Sequence, residues 1–413
     1  MTSHEHQSLT LLRAEGADAS ISRGDLLARL EAARAAPAQP FAPDRVDLIA
    51  RASERLLRRE GRGVPAAIKH FAFFIRRGAL QKLAANFEKR LPSQAIALPR
   101  GLVFHLPPQN VETVFLYSWV LSYLVGNANI TRTPSAFGEV VRFVCNLFLE
   151  LLSESGDETQ FFVHYGSVSS LNAVISAASD ARVVWGGDAK VAGLVPLPLR
   201  NGGKSIWFGD RSSFSVMRGD ALRRLGQDER DAMARRMFND IFVFDQMACS
   251  SPHVLFVVGD PIEDTAAVRD LLASVARVAQ AAGQDAGTGH FMRKMVAAYQ
   301  AAATGEASSL EWRNPALTSV LSASARRQEE RVGGGFLWVD FIPSIEALGA
   351  LARERDQTLT HFGFSPEEVS CMARAVARSG VSRLAPVGSA LDFDSVWDGY
   401  DLPFELTRLV RVT

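Results

Sequence analysis

The sequence predicts an α/β protein whose parallel sheets are joined by crossover helices. Two patterns point there: from Gly101 onward short apolar runs alternate with segments of helical period, and a second block beyond residue 223 repeats the alternation. Size agrees, because 413 residues with 47% hydrophobic content suffice for two or three packed domains and exclude both a small stapled scaffold and wholesale disorder. In sheets of this class ligands gather at the carboxyl ends of the strands, so the loops that follow strands are the first place to seek function.

The first hundred residues, rich in Ala, Arg and Glu, read mainly as helix. Ser22-Arg23-Gly24-Asp25 opens the run LLARLEAARAA, with apolar residues at helical spacing, and Pro37, Pro40 and Pro43 then punctuate the chain. The spacing next predicts a strand at 102–106, a helix at 111–125, a strand at 129–132 and a helix at 135–152. A strand at 161–165, a helix at 168–178 and a strand at 182–185 follow. The second block holds a charged helix at 228–239, the apolar Ile241-Phe242-Val243-Phe244, and a strand at 254–258. Helices at 264–282, 292–303 and 366–379 and strands at 336–342 and 359–362 complete it. There is no fixed-period repeat. Gly333-Gly334-Gly335 reads as a loop rather than a phosphate cradle, because no helix start follows it.

Composition narrows the function. Forty-five basic residues balance 45 acidic ones, so the chain has no overall pull toward nucleic acid or anionic lipid, and any phosphate-binding charge must be local. Three cysteines are too few and too scattered for a disulfide framework and suit a reducing compartment. The start, MTSHEHQSLTLLRAEG, lacks a basic segment followed by an apolar core. The apolar stretch 113–131 is interrupted by Ser118, Ser122, Gly126, Asn127 and Asn129, which suits a buried helix better than a membrane span. A cytosolic protein with no membrane span and no nucleic-acid partner is the expectation.

Three loops could carry chemistry. Pro107-Pro108-Gln109-Asn110 lies between a strand and an apolar helix; Asn110 can cap that helix or present its amide into a cleft, and the residues alone favour the cap. Tyr165-Gly166-Ser167 runs from a strand end into a helix start, where backbone N–H groups favour a phosphate, although the GxGxxG pattern is absent. Asp245-Gln246-Met247-Ala248-Cys249-Ser250-Ser251-Pro252 places a thiol among small residues ahead of a buried strand. Cys145 and Cys371 sit in helical contexts and read as buried small hydrophobes. No metal is expected, since Cys249 and His253 lack a second ligand pair, and neither HExxH nor GxSxG occurs.

In order along the chain, GLVFHLPPQNVET, GNANITRTPS, FVHYGS, VVWGGD and FDQMACSSP resemble successive segments of the aldehyde dehydrogenase superfamily. FDQMACSSP and RLAPVGSALDFDSVWDGYDLP resemble more specifically the LuxC-type acyl-CoA reductase family, the fatty-acid reductase component of bacterial bioluminescence and its relatives. The motifs cover about 101–258 and 383–403. The resemblance implies an aldehyde-dehydrogenase-like fold with a Rossmann-type cofactor domain and a second α/β catalytic domain. The expected division is 1–222 for a helical layer and nucleotide-binding domain, 223–390 for the catalytic domain, and 391–413 for a segment that bridges or oligomerises.

The resemblance makes Cys249 the nucleophile toward a fatty acyl thioester, of coenzyme A or acyl-carrier protein, with the Asn110 amide and the Cys249 backbone N–H holding the oxyanion. It assigns the cofactor to Thr131, Arg132, Thr133, Gly166, Ser167, Gly186 and Gly187. Alignment on Gly186-Gly187 puts Val184 where aldehyde-oxidising members carry a deacylating Glu, which suits reduction better than oxidation. Thr133 replaces a ribose-binding Lys, and Ala136 stands where NAD-preferring members often have an acid. With Arg132 nearby, NADPH is favoured over NADH. The Glu-x-Phe-Gly-Pro segment of typical members has no counterpart. The resemblance also implies a homo-oligomer and an acyl-protein synthetase partner. An acyltransferase or thioesterase using the same cysteine without hydride transfer, and a non-catalytic scaffold subunit, are the competing readings.

Overall fold

A chain that must return to the same edge of a sheet through a helix lays its strands parallel, and both blocks of this chain do so. The computed structural model describes residues 9–13, 18–58, 66–107, 114–133, 138–166, 170–284, 287–325 and 331–413. They fall into two units, Met1–Gly209 with Phe393–Thr413, and Asp210–Asp392.

The strands of the first unit are β1 (Thr10–Leu11), β2 (Ala19–Ser20), β3 (Ala95–Pro99), β4 (Leu102–Leu106), β5 (Ala128–Arg132), β6 (Gln160–His164), β7 (Ala181–Trp185) and β8 (Lys204–Phe208). Seven form one sheet in the order β2-β1-β6-β5-β4-β7-β8. The five from β6 to β8 are parallel, while the short β1 and β2 add antiparallel at one edge. The parallel order, 3-2-1-4-5 in chain sequence, is that of a Rossmann fold without its sixth strand, and the strand order reverses between β4 and β7.

Alternating residues bury both faces of this sheet. Val103, Phe162, Val183 and Ile206 pack with Leu48, Trp119 and Phe148 of helices Pro43–Arg58, Val114–Leu124 and Glu139–Ser155. Leu102, Phe104, Ile130, Val163 and Val184 pack with Leu26, Leu30 and Ile175 of helices Arg23–Arg34 and Leu171–Ala178. The helix expected after Ser22 is capped as its sequence suggests, the Ser22 hydroxyl accepting from Asp25 N at 3.1 Å. Among the described residues no helix is long and apolar enough to cross a membrane.

The second unit contains β9 (Ser212–Arg218), β10 (Pro252–Val258), β11 (Ala307–Trp312), β12 (Thr318–Ser322), β13 (Phe336–Ile342), β14 (Asp356–Phe362) and β15 (Arg383–Pro386), in the order β11-β12-β13-β10-β9-β14-β15. Only β11 is antiparallel. Central β9 escapes the periodicity because SSFSVMR is half polar. Its serines are tolerated inside because each is bonded: Ser212 Oγ to Asp356 Oδ1 (2.6 Å), Ser213 Oγ to Cys249 O (2.7 Å) and Ser215 Oγ to Thr360 Oγ1 (2.5 Å). The second unit therefore begins at Asp210, ahead of the border expected at 222.

The C-terminal segment folds back on the first unit. It holds β16 (Val396–Trp397), β17 (Tyr400–Asp401) and β18 (Thr407–Arg411), and β18 pairs antiparallel with β3. The rings of Phe393 and Trp397 lie 5.3 and 5.6 Å from Tyr117, and Tyr400 lies 5.6 Å from Phe208.

A buried polar network ties β4, β5 and β6 together. Fully buried His105 lies 2.9 Å from Asn129 Oδ1 and 3.1 Å from Ser118 Oγ, while Asn129 Nδ2 donates to Gln160 Oε1 at 2.8 Å. Asn129 Oδ1 can only accept, so His105 carries its proton on Nε2 and accepts from Ser118 on Nδ1. Burial pushes this imidazole down to about 4, against the upward pull of the Asn129 bond. The folded chain thus refuses a proton that the unfolded chain takes up near pH 6.5. Its contribution is complete above that pH and is lost as pH falls toward 4, by on the order of 3 kcal/mol. Denaturant titrations at pH 7 and 4.5 should show His105→Gln less stable than the parent at pH 7 but with a visibly flatter acid decline.

Candidate active site

The helix Gln227–Phe242 delivers the chain to the cysteine loop through a turn with unusual backbone. Asp245 and Gln246 both have positive φ (50° and 61°). Gln246 is fully buried, and its amide makes four bonds to backbone. Nε2 donates to Pro252 O (2.8 Å) and Phe336 O (2.9 Å), and Oε1 accepts from Gly335 N and Phe336 N (3.0 Å each). One side chain thus closes the loop onto the first residues of β10 and β13. The Gly333-Gly334-Gly335 turn packs beneath it, with Gly334 N donating to Asp245 O at 2.9 Å. All three glycines have positive φ, and a Cβ on Gly335 would stand 2.1 Å from Ala316 O.

Cys249 is half-buried at the end of this loop. Its carbonyl accepts from Ser213 Oγ, which in turn accepts from Thr358 N at 3.1 Å, and Ser251 N donates to Ala248 O at 3.0 Å. Asp240, in the last turn of the delivering helix, accepts from Gly388 N (2.7 Å) and Ala390 N (2.9 Å), so the late APVGSA motif is fastened to the same helix. Burial pushes the Asp240 carboxyl up to about 7 despite those two bonds. Because Cys249 precedes β10, the thiol lies at the amino ends of the parallel strands, not at the carboxyl ends where the general rule for such sheets would look.

The other thiols differ from each other more than expected. Cys145 is fully buried, and burial pushes its thiol up to about 12. Cys371, expected to be buried, is half-buried, with Sγ 3.9 Å from Glu346 Oε1. Its helix packs only its inner face, and Cys371 lies on the flank. Among the described residues no cluster of His, Cys, Asp and Glu could hold a metal ion.

In the first unit the described residues among the remaining candidates line the carboxyl edge of the sheet. Thr131 and Arg132 end β5, and both are buried. Thr133 is buried too and spends its hydroxyl on Val163 O at 3.0 Å. Gly166 is exposed, and a Cβ there would meet nothing within 4 Å, so there is room for a ligand beside its backbone. Gly186, after β7, has φ +154°, and Gly187 precedes the short helix Asp188–Leu194. Asn110 and Ser167 lie outside the described residues. Sequence reading overlooked two residues: Gln246, which stood inside the quoted motif, and Lys190. Lys190 Nζ donates to Pro107 O (2.5 Å) and Trp185 O (2.9 Å), the carbonyls that follow β4 and close β7. A small polar loop after Gly-Gly gave no hint of a lysine reaching back across the sheet edge.

This edge fits a phosphate-bearing dinucleotide. Among the described residues Arg132 Nε and Thr131 Oγ1 are buried without a hydrogen-bond partner, and Arg132 stands 5.2 Å from the Tyr165 ring. Orphaned donors beside a strand-order reversal are what a bound anion would satisfy.

A family model described as acyl-CoA reductase (LuxC) matches residues 78–412. Long-chain acyl-protein thioester reductase 2 from Photobacterium leiognathi is 26% identical over 170 residues, 40% of this chain, and the match spans only 34% of that relative's length. An oxidoreductase from Marinobacter aquaeolei superposes with a TM-score of 0.67 at 15% identity, over 96% of this chain and 92% of its own. An NAD-dependent aldehyde dehydrogenase from Sinorhizobium meliloti gives 0.66 at 14% identity, over 95% and 87%. The structural likeness shows an aldehyde-dehydrogenase-like fold, and the family match, covering most of the chain, shows that this protein belongs to the LuxC acyl-CoA reductase family.

Proposed function

We propose that this chain reduces a fatty acyl thioester to the aldehyde through an acyl-cysteine on Cys249, with NADPH as the reductant. The observation that carries the reading is the half-exposed Cys249 on a loop pinned at both ends by Gln246 and Ser213, inside the segment matched to the reductase family. The Cys249 sulfur attacks the thioester carbonyl carbon. The new C–S bond forms as the bond to the carrier sulfur breaks, and the carrier leaves as a thiol with the proton from Cys249. The Asn110 amide and the Cys249 backbone N–H stabilise the oxyanion formed on the way. When bound, the nicotinamide cofactor supplies a hydride to the acyl carbon. Collapse of the Cys249 thiohemiacetal then releases the aldehyde and restores the thiol.

What the chain lacks matters as much. Val184, where the resemblance puts a water-activating carboxylate in oxidising members, is a fully buried hydrocarbon, and without a base there the acyl-cysteine persists until it is reduced. Arg132 and Lys190 would hold the cofactor's anionic part, with Gly166 giving room for it; the preference for NADPH rests on the absence of an acid at Ala136 that would repel a ribose phosphate.

Intact-mass spectrometry with medium- and long-chain acyl thioesters of coenzyme A and acyl-carrier protein tests both halves. An acyl adduct on Cys249 should accumulate without NADPH and disappear with it as aldehyde forms, and Cys249→Ala should lose both events. Acyl turnover indifferent to cofactor would replace the reductase reading with acyl transfer.

Two further outcomes are expected. Asn110→Ala should slow acylation by roughly 10²–10³ if its amide faces the oxyanion. Peptide mapping after brief iodoacetamide treatment of the folded chain should find Cys249 and Cys371 modified and Cys145 untouched until denaturant is added.

A further inference from the structure

Two cations share the carboxyl edge of the first unit's sheet, and among the described residues neither is paired with an acid. Arg132 is 7% exposed, its Nε is orphaned and its guanidinium lies over Tyr165. Lys190 spans the gap between the ends of β4 and β7, the place where strand order reverses. Its stem lies there only because residue 186 is glycine, since a Cβ on Gly186 would come within 2.6 Å of Lys190 Cδ. Two carbonyls take two of its three N–H groups, leaving one to offer. Burial, with the neighbouring Arg132, pushes the ammonium down to about 8. Holding two like charges within electrostatic reach on a half-buried edge is unfavourable until an anion joins them.

Thr133 brings no charge to an anion, and its hydroxyl donates to Val163 O. In sheets of this order the crevice beyond the reversal receives the pyrophosphate of a dinucleotide. We propose that Lys190, with Arg132 beside it, binds the pyrophosphate of the nicotinamide dinucleotide. The assignment rests on the cofactor reading given above. Coenzyme A offers the same pyrophosphate chemistry, so the test must separate the two.

Lys190→Gln keeps N–H donors for the two carbonyls and removes the charge; Lys190→Arg keeps the charge; Lys190→Met is a second neutral variant should the first not fold. Each full-length variant is titrated with NADPH and with NADH by nicotinamide fluorescence, and with free coenzyme A by calorimetry, alongside its melting midpoint. Loss of the charge should weaken NADPH and NADH alike, roughly ten- to thirty-fold, with coenzyme A unaffected and Lys190→Arg restoring most of the affinity. Unchanged dinucleotide affinity with a lowered melting midpoint would make Lys190 a bridge between strands and overturn the proposal. So would a loss confined to NADPH, which would point to the ribose phosphate, or one confined to coenzyme A. A parent chain that binds neither dinucleotide would instead sink the reductase reading itself, and this assignment with it.

Discussion

The second unit depends on one buried amide. Gln246 gives the backbone two donors and two acceptor contacts at the amino ends of β10 and β13, and no other group described there replaces them. Removing a partner from a buried backbone group costs about 1–3 kcal/mol each, so the site cannot slide toward a looser arrangement at small cost. The positive φ at Gln246 is the strain accepted to bring that amide into place, and the three left-handed glycines make the facing turn without strain. A thiol two residues beyond Met247 inherits this rigidity, and Ser213 fixes its carbonyl independently. Catalytic groups held through their own backbone need little reorganisation during reaction.

The two sheets use opposite ends. In the first unit the carboxyl edge bears glycines, buried cations and unpaired donors, as expected where a nucleotide approaches strand ends. In the second unit the thiol precedes its strand. A loop entering a strand can be tied down by side-chain bonds to the strand starts on either side, and Gln246 and Ser213 do this from opposite flanks. On the proposed reading, placing the two kinds of chemistry on differently built edges lets each be rigid in its own way.

Much of this was legible in the sequence where apolar runs were unbroken. β4 and β13 begin and end where periodicity puts them, because buried parallel strands need continuous hydrocarbon. β8 and β9 were missed: KSIWF alternates weakly, and SSFSVMR hides its strand behind serines whose partners are far away in sequence. The helix read at 228–239 runs on through Phe242, absorbing residues that looked like a separate apolar run. Cys249 could be singled out by its loop and its resemblance, whereas Gln246 and Lys190 could not. Their roles come from contacts 90 and 83 residues away, and no local pattern records a partner at that distance.

The contrast between two buried arginines on one sheet face shows how a structural cation differs from one awaiting a ligand. Arg182 on β7 is almost wholly buried, and every terminal nitrogen is satisfied: Nη1 by Ser176 Oγ and Leu197 O, Nη2 by Val195 O and Ser205 Oγ. Its guanidinium is part of the wall. Arg132 on β5 is the same group, buried nearly as deeply on the same face, yet among the described residues its Nε finds no acceptor, and its guanidinium lies over the Tyr165 ring. Burial lowers the affinity of both for their protons, so each must be compensated; for Arg182 the fold does this with carbonyls. For Arg132 it does not, and a second cation, Lys190, is set within its field rather than an acid. In a chain whose total charges cancel, an uncompensated pair at the edge of a Rossmann-type sheet marks the point where charge balance is left for a bound anion to complete.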